Sequence, residues 1–326
     1  MPVSEVLNEI DRQVLAALMV DGRAGWRTVA AALGKPERTV ARRGARLLDS
    51  GMVEVRALTD PHRSEDADPF IVHGQCRPGA VWTTAAELAR RQDCVTCYAL
   101  SGPQHFYADI WCPGRRQAQL FLHELGATGG LAHLSVSPVL EYIRTLHDWE
   151  PGILTADQAR AVRTTEPGPW PRFTERVALD RTDRAVVRAV TENGRATCEE
   201  IARQAGISEQ TAARRLDRLR DSGLLVFRAV FDPALIGLPT AALLWIRPRP
   251  DRVESVAAAL RAEPAVRYAA LTLGAHQIVA DVRLPSKDAL RRLLLGAPWL
   301  AETDAVESSL ILDVLKQSQV LNGALR

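Results

Sequence analysis

Arginines recur at helical spacing in one short segment of the second half of the chain. From Glu209 to about Ser222, apolar residues alternate with them at the period of a helix that has one buried face. The side chains on the opposite surface carry donors suited to base edges and phosphates, and they are Gln210, Thr211, Arg214, Arg215 and Arg218. We expect Arg214 and Arg215 to make the main contacts. The segment therefore predicts a helix that binds double-stranded DNA, although an arginine-rich helix can also be only a solvated surface.

The elements that must position this helix precede it in the sequence. Apolar residues from Leu179 to Val190 have helical spacing, and a second short helix is predicted from Cys198 to Gln204. Ser208 is placed to cap the arginine-bearing helix. Three short helices joined by glycine-containing turns predict a helix-turn-helix, whose last helix enters the major groove. The apolar run from Leu224 to Pro233 fits a hairpin wing or a strand that leads out of the domain.

The whole unit occurs twice in the chain. An offset of 172 residues aligns the first half with the second without a gap, so that Leu7 falls on Leu179. Roughly 24 of the first 55 aligned positions are identical, far more than chance gives. Later segments align too, with Gly102 on Gly274. The chain is therefore an internal duplication, and its halves are called copy one and copy two below.

Copy one repeats the arginine-bearing helix with two changes. The residues that match the candidate DNA contacts are Arg38, Thr39, Arg42, Arg43 and Arg46. Pro36 replaces the capping Ser208, so the side-chain cap is lost. Gly44 replaces the core residue Leu216, which costs about 1 kcal/mol in helix propensity and removes a packed side chain. We therefore expect the first helix to be looser, or to bind mainly phosphates.

Each copy continues into a strand, helix, strand, strand, helix, strand pattern. In copy two the elements are predicted at Ala241 to Pro248, Asp251 to Ala262, Val266 to Leu273, Gln277 to Leu284, Lys287 to Leu295 and Val306 to Leu315. In copy one they are predicted at Phe70 to Cys76, Thr83 to Gln92, Cys94 to Leu100, His105 to Trp111, Arg115 to Leu125 and Leu134 to Ile143. The predicted fold class is α+β, with two winged helix-turn-helix domains alternating with two ferredoxin-like (βαββαβ) sensing domains. Such a sheet has one open face that needs a partner.

Domain boundaries follow from breaks in these patterns. The predicted helix-turn-helix domains span 1–61 and 177–233, the sensing domains 69–147 and 239–320, and a linker 148–176. The linker is rich in proline and glycine, which interrupt regular structure, and one short helix is expected in it near Ala156 to Val162.

The helix-turn-helix of copy two resembles a known family. It has the pattern L-D-x-x-D-x-x-V, then N-G-R-A, then I-A-x-x-A-G-I-S-x-x-T-x-x-R-R-L-x-R-L-x-x-S-G-L, which resembles the Lrp/AsnC (feast/famine) regulators. The similarity covers nearly the whole chain, as two family units fused head to tail. It implies that the open sheet faces of two units pack together, here within one chain. It also implies DNA and a small effector, often an amino acid, as partners, and association of further copies through the sensing domains.

The resemblance further implies an effector loop after the second strand of each sensing domain, usually T-G-x-[YFH]-D. The matching residues are Gly274, His276 and Gln277 in copy two, and Gly102, Gln104 and His105 in copy one. Gln277 and His105 replace the family's acidic residue, which weakens the expectation of α-amino recognition because a neutral group matches an ammonium poorly. An equally simple interpretation is that both glycines only form hairpin turns.

Four of the five cysteines fall in the first sensing domain, namely Cys76, Cys94, Cys97 and Cys112. Cys94 and Cys97 have the CxxC spacing of zinc or redox sites. On a regular strand that spacing puts the two side chains on opposite faces, so a shared metal would need a bulge. Counting residues back from the hairpin at Gly102 places Cys94 near Cys112, which would permit a redox pair. We expect small buried core residues, with a thiol switch or metal sensor as the alternative.

Catalytic patterns find little support in the sequence, which has no paired histidine ligands, nucleophile elbow or phosphate loop. We expect no enzyme activity, no cofactor and no metal. One alternative is a tetrapyrrole enzyme, because sirohaem decarboxylases are fused two-unit relatives of the family with a strand motif rich in Tyr, Arg and His. The segment from Tyr268 to His276 matches that motif only faintly. Another is a metabolite sensor without DNA contact, against which the arginines of both copies argue.

Composition limits the broad class of the protein. The chain has 326 residues, 47% hydrophobic and 25% charged, with a formal net charge of +2. Such a balance is ordinary for a globular protein, so clustering of arginine rather than net charge indicates the nucleic-acid partner. No apolar stretch is long enough to span a membrane, and the N-terminal residues lack the layout of a secretory signal. We expect a cytoplasmic protein.

Overall fold

The computed structural model describes residues 6–163 and 176–325. In chain order its helices are α1 (Glu9–Val20), α2 (Trp26–Leu33), α3 (Glu37–Asp49), α4 (Pro61–Glu65), α5 (Val81–Arg90), α6 (Gln117–Gln119), α7 (Ala156–Val162), α8 (Arg181–Glu192), α9 (Cys198–Ala205), α10 (Glu209–Asp221), α11 (Val253–Ala262) and α12 (Lys287–Gly296). Its strands are β1 (Val53–Thr59), β2 (Ala67–Cys76), β3 (Cys94–Leu100), β4 (Phe106–Pro113), β5 (Leu131–Arg144), β6 (Leu225–Phe231), β7 (Thr240–Pro248), β8 (Val266–Thr272), β9 (Ile278–Leu284), β10 (Thr303–Gln317) and β11 (Val320–Leu321). The fold is α+β, as predicted.

These elements form two compact units, and each unit combines matching parts of both copies. One contains the described residues up to Ser64 and from His147 to Gly237, and therefore both helix-turn-helix segments. The other contains Glu65–Leu146 and the described residues from Leu238 onward, and therefore both sensing segments. Helix α7 confirms the short helix predicted in the linker. Residues 164–175 of that predicted linker lie outside the described residues.

The helix-turn-helix segments form where the sequence supplies caps and glycine turns. Asn8, Asp180, Thr197 and Ser208 each accept a hydrogen bond from a backbone N–H in the first turn of α1, α8, α9 and α10, respectively. Helix α3 begins at Pro36 without a side-chain cap, as predicted. The three-helix order therefore recurs in both copies, with the weaker helix start in copy one.

Strands β1 and β6 join the two helix-turn-helix segments in an antiparallel pair. Arg56 lies opposite Arg228 at the centre of the register, and these are equivalent residues of the two copies. A pseudo-two-fold axis therefore passes between them. The apolar run after α10 is thus a strand, β6, that pairs with the equivalent strand of the other copy.

A reciprocal pair of arginines strengthens this arrangement. The Arg23 guanidinium donates to the carbonyls of Gly194 and Ala196, at 2.8 and 3.0 Å. Its equivalent, Arg195, donates to the Gly22 carbonyl at 2.7 Å. The Gly22 and Gly194 N–H groups in turn donate to carbonyls of β6 and β1. Each copy therefore satisfies backbone groups of the other, as in a symmetric dimer.

Gly44 was expected to loosen α3, but a side chain of α2 compensates for it. A Cβ at Gly44 would lie 2.3 Å from the Trp26 ring, so the indole occupies the space that Leu216 fills in copy two. The equivalent of Trp26 in copy two is the smaller Cys198. The packed side chain that was expected to be missing is supplied from α2, and the Arg195 guanidinium lies 4.5 Å from the Trp26 ring centre.

The sensing segments each contribute four main strands, in the order β3-β4-β2-β5 for copy one and β8-β9-β7-β10 for copy two, and the short β11 of copy two pairs with β10. The last strand of each copy is long and continues into the other copy. Val139–Arg144 of β5 pairs with β8, and Ile311–Lys316 of β10 pairs with β3. Because β10 also pairs with β7, the sheet closes on itself.

The open faces of the two sheets meet inside this closed sheet. The buried residues that come together there are Ile71, Tyr98, Leu100, Tyr107, Val139, Leu243, Trp245, Ala270 and Val279, from both copies. The outer faces are covered by separate cores that involve α5 in copy one and α11 and α12 in copy two. The prediction that the two faces meet within one chain is confirmed.

One predicted element differs clearly from a regular helix. The segment expected as a helix from Arg115 to Leu125 is a series of short 3₁₀, α and π turns between Gly114 and Ala127. Its equivalent α12 begins at Ser286, whose side chain accepts a hydrogen bond from the Ala289 N–H. Gly114 occupies the matching position in copy one and has no side chain to cap a helix.

Candidate nucleic-acid interface and effector loops

Helices α3 and α10, called the recognition helices here, present matching outer faces. Arg42 and Arg214 occupy equivalent exposed positions, and so do Arg38 and Gln210. Within residues 6–163 and 176–325, none of these four side chains makes an ion pair or a hydrogen bond. Thr39 and Thr211 are half-buried, and the Thr211 hydroxyl lies 2.8 Å from the capping Ser208. The exposed side chains therefore have their donors free for an anionic partner.

The other arginines of the recognition helices hold the fold. Arg215 lies 2.6 Å from Asp180 and 3.0 Å from Asp183, and Arg218 contacts the same Asp183 carboxylate. Asp183 is 2% exposed, and these two arginines compensate its buried carboxylate. The recognition helix of copy two is therefore anchored to α8 by two arginines.

Copy one has the same anchor. Arg43 lies 2.9 Å from Asp11, and Arg46 contacts the other oxygen of that carboxylate, which is 1% exposed. Sequence reasoning missed Asp11 and Asp183, although their equivalence at the 172-residue offset was a usable signal. The candidate contacts thus divide into exposed side chains and arginines bound to α1 or α8.

Local electrostatics favour the charged forms in this anchor. Backbone N–H donation at Asp183, with help from Arg215, lowers the pKa of the Asp180 carboxyl. Hydrogen bonding to Asp180 and then Asp183 raises the pKa of Arg215. Both shifts favour the charged forms of Asp180 and Arg215.

The two predicted effector loops are hairpin turns with glycines at left-handed φ. Gly102 has φ 86° and Gly274 has φ 134°, conformations that L side chains rarely adopt. A Cβ at Gly274 would lie 3.3 Å from the Ser137 hydroxyl, and one at Gly102 would lie 3.5 Å from that of Ser309. Each turn therefore lies against the last strand of the other copy.

Side chains from both loops meet in one polar and aromatic cluster. Gln104 Oε1 lies 3.1 Å from His73 Nδ1, and the His73 ring centre lies 4.5 Å from the Trp245 ring. The His276 ring is 6.3 Å from Trp245, and its Nε2 is 3.5 Å from a Glu307 oxygen. Burial lowers the pKa of His73. Candidate effector residues of the two copies therefore lie in one cluster of side chains, called the loop cluster here.

Sequence reasoning found Gln104 and His276 but missed their partners in the loop cluster. His73 and Trp245 are equivalent residues on the first strand of each sheet, a signal that the repeat contained. The other two polar candidates, His105 and Gln277, have different surroundings. His105 Nδ1 accepts a hydrogen bond from the Cys76 N–H at 2.9 Å, which is a structural contact. Gln277 Oε1 is buried and has no hydrogen-bond partner among the described residues.

A buried ionic network lies on copy two's part of the closed sheet. Arg283 Nε donates to Asp281 at 2.8 Å, and Arg267 Nη1 lies 3.6 Å from the same carboxylate. The Tyr98 hydroxyl of copy one donates to Asp281 at 3.0 Å. Burial and the Asp281 charge raise the pKa of Tyr98. The network therefore links the two copies at their shared interior.

Copy one lacks the cations of that network. Asp109 is the equivalent of Asp281, but Trp111 and Val95 stand where copy two has Arg283 and Arg267. Asp109 is 6% exposed, and burial raises the pKa of its carboxyl to about 7. At neutral pH it is therefore a mixture of the neutral and ionised forms.

The cysteine pattern differs from its prediction. Cys94 and Cys97 were expected on opposite strand faces, but a β-bulge between Cys94 and Thr96 places both in the same core. Cys94 pairs with Ile110, and Cys112 pairs with Asp68 rather than Cys94. The bulge shifts the register by one residue, so Cys94 lies opposite Ile110, two residues along β4 from Cys112.

The thiols of this core are not arranged for reactivity. Cys94 and Cys97 are fully buried, and the interaction with Cys94 together with burial raises the pKa of Cys97 well above its usual value. Burial also raises the pKa of Cys76 and Cys112. A high thiol pKa lowers the thiolate fraction, which is the reactive form. Among the described residues, no three His, Cys, Asp or Glu side chains converge as metal ligands.

Comparisons with known proteins agree with this architecture. Residues 7–48 match the AsnC-type helix-turn-helix domain, 179–226 match the winged helix-turn-helix DNA-binding model, and 241–321 match the Lrp/AsnC ligand binding domain. An uncharacterised HTH-type transcriptional regulator of Pyrococcus horikoshii is 30% identical over 135 residues, which are 41% of this chain and 84% of that protein. The chain belongs to the Lrp/AsnC family.

Further comparisons define how this Lrp/AsnC chain differs from its relatives. The HTH-type transcriptional regulator FL11 of Pyrococcus horikoshii is 27% identical over 147 residues, 45% of this chain but 97% of that protein. Each of these relatives therefore matches less than half of the duplicated chain. The crystal structure of the siroheme decarboxylase NirDL has a similar fold, which covers 97% of this chain and 94% of that one, with a TM-score of 0.62 and 12% identity.

Among the described residues, no helix is both long and apolar enough to cross a bilayer.

Proposed function

We propose that the chain is a sequence-specific DNA-binding transcriptional regulator whose activity is tuned by a small effector. The observation that carries the proposal is the pair of recognition helices, which present Arg42 and Arg214 at equivalent exposed positions with no ion pair or hydrogen bond to the rest of the described chain. Arginine donors on the third helix of a helix-turn-helix suit phosphates and base edges. The named relatives are HTH-type transcriptional regulators, which supports the same function.

Arg214, rather than Arg215, is the better candidate for DNA contact in copy two. Arg215 is bound to Asp180 and Asp183, and leaving them for a phosphate would uncover a buried carboxylate. By the same reasoning, Arg42 is a better candidate for DNA contact than Arg43 in copy one. The other candidates lie on the same recognition helices, Arg38 and Thr39 on α3 and Gln210 and Thr211 on α10. Arg46 and Arg218 are more exposed and can contact a phosphate while they remain bound to aspartate.

DNA binding by the full chain tests this proposal. We expect Arg42→Ala and Arg214→Ala each to weaken binding to a selected duplex about 10-fold, with a shallower dependence on salt, because each removes a phosphate or base contact. Arg291→Ala, an exposed arginine of α12, is the matched control and should bind like the wild type. Unchanged affinity in both recognition-helix variants would contradict the proposal.

The loop cluster is the proposed effector site. It joins aromatic faces, two imidazoles, an amide and the Glu307 carboxylate, a set that suits a small polar metabolite such as an amino acid. Glu307 supplies a carboxylate near loops whose usual acidic residue is absent. A ligand that binds the native state raises its melting temperature. In a screen of amino acids and related metabolites, we expect the stabilising compound to lose its effect in Glu307→Gln and His276→Gln but not in Gln319→Ala.

A further inference from the structure

The recognition helices differ at one outward position. Arg38 of α3 and Gln210 of α10 are equivalent and exposed, and each lies one turn before the shared arginine of its helix, Arg42 or Arg214. The flanking residues are the same in both copies, with Glu preceding and Thr following. The difference is therefore confined to a side chain that faces outward beside a proposed DNA contact.

A second position on the same face, about one turn further along each helix, also differs. Ala45 of α3 matches Asp217 of α10, and both are exposed. Copy one thus presents two cations and a methyl group along this face, where copy two presents an amide, one cation and a carboxylate. The faces are chemically unequal although the helices that carry them are equivalent.

The covalent fusion fixes this inequality in every molecule. The pairing of β1 with β6 and the reciprocal contacts of Arg23 and Arg195 relate α3 to α10 by the pseudo-two-fold axis. A homodimer would present two identical recognition helices, whereas this chain always presents one of each. Two related half-sites can therefore be contacted, but with different side chains.

The chemistry of the two side chains assigns different bases. The arginine fork donates to O6 and N7 of guanine, whereas a glutamine amide pairs with N6 and N7 of adenine. We propose that the operator of this protein is non-palindromic, with guanine facing Arg38 in one half-site and adenine facing Gln210 in the other. Arg38 and Gln210 are then specificity-determining residues, an assignment that rests on the proposed function.

The experiment begins with selection of bound duplexes from a random pool by the full chain. Three duplexes derived from the selected site are then compared: the site itself, a symmetric version with adenine in both arms, and one with guanine in both arms. We expect the wild type to prefer its own site over each symmetric version by about 5- to 100-fold, the discrimination typical of one base. Arg38→Gln should prefer the adenine-symmetric duplex and Gln210→Arg the guanine-symmetric duplex. Arg291→Gln controls for the loss of one exposed positive charge.

Each result bears on the proposal. Selection of a palindromic site, or variants that keep the wild-type ranking of the three duplexes, overturns it while leaving DNA binding intact. Absence of any sequence-specific binding by the wild type overturns the proposed function as well, so the two failures are distinguishable. Both side chains are exposed, and the two variants test opposite arms, so the proposal does not depend on the folding of either one alone.

Discussion

Asp109 and Asp281 are equivalent buried carboxyl groups whose neighbouring residues differ. Arg283 and Arg267 lie beside Asp281, while the equivalent carboxyl of Asp109 is buried and has no cation beside it among residues 6–163 and 176–325. Its pKa is about 7 in the folded chain and about 3.9 when unfolded. Between these values the folded state binds the extra proton, so the free energy of unfolding falls as pH rises from about 4 to about 7.

We therefore expect Asp109→Asn to flatten this pH dependence and to be more stable than the wild type at pH 8, by at most about 4 kcal/mol. Urea denaturation at several pH values from 5 to 8 measures it. Asp281→Asn is the matched control and should lower stability at every pH, because it removes the carboxylate that two buried arginines contact. Parallel curves for Asp109→Asn and the wild type would disprove the assignment.

Neighbouring arginines of α10 also separate two roles at the residue scale. Arg215 is bound to Asp180 and Asp183, whereas Arg214 is exposed and makes no such contact in the part of the chain that the structure describes. We expect Arg215→Ala to lower the melting temperature by several degrees and Arg214→Ala to leave it unchanged. Calorimetry of the two variants decides this, and equal melting temperatures would show that the anchor does not stabilise the helix.

At the scale of elements, α2 and α3 of copy one have exchanged the sizes of two packed residues. Trp26 fills the space above Gly44, whereas copy two has Cys198 and Leu216 at these positions. We expect Trp26→Cys to cost about 2 to 3 kcal/mol and Gly44→Leu to be destabilising through overlap with the indole. The double variant should recover much of the loss, with a coupling energy of about 1 to 3 kcal/mol. Additive losses in a double-mutant cycle from chemical denaturation would refute this compensation.

Local signals in the sequence were sufficient for most elements. Caps and apolar spacing predicted α8, α9 and α10 to within a few residues, because Asp180, Thr197 and Ser208 act on the backbone of their own first turn. The anchor on Asp183 was not predictable in this way, since Arg215 is distant in sequence. The same holds for the contact of Trp26 with Gly44 and for the bulge at Cys94, which depend on packing between elements. The sequence therefore placed the candidate DNA contacts on the recognition helices, whereas their division into exposed and aspartate-bound side chains required the structure.

At the scale of the whole molecule, the duplication brings like parts together rather than leaving them as consecutive units. The helix-turn-helix segments pair through β1 and β6, and the sensing segments close one sheet through the ends of β5 and β10. Both pairings follow the same 172-residue equivalence. One chain therefore contains the contacts that a symmetric dimer of single units would make between subunits.

The reciprocal contacts of Arg23 and Arg195 join the two helix-turn-helix segments, and we expect them to keep the recognition helices at a fixed separation. Fixed separation means that the second half-site is bound at a high effective concentration only when its spacing fits. We expect Arg23→Ala with Arg195→Ala to weaken binding to the selected operator, and to reduce the penalty for inserting two or three base pairs between its half-sites. Affinities for the operator and the inserted duplexes measure both effects. Arg188→Ala, an exposed arginine of α8, is the control. An equal loss on every duplex would mean that these arginines support folding alone, whereas a selective loss on the correctly spaced operator would show that they set the distance between the two half-sites.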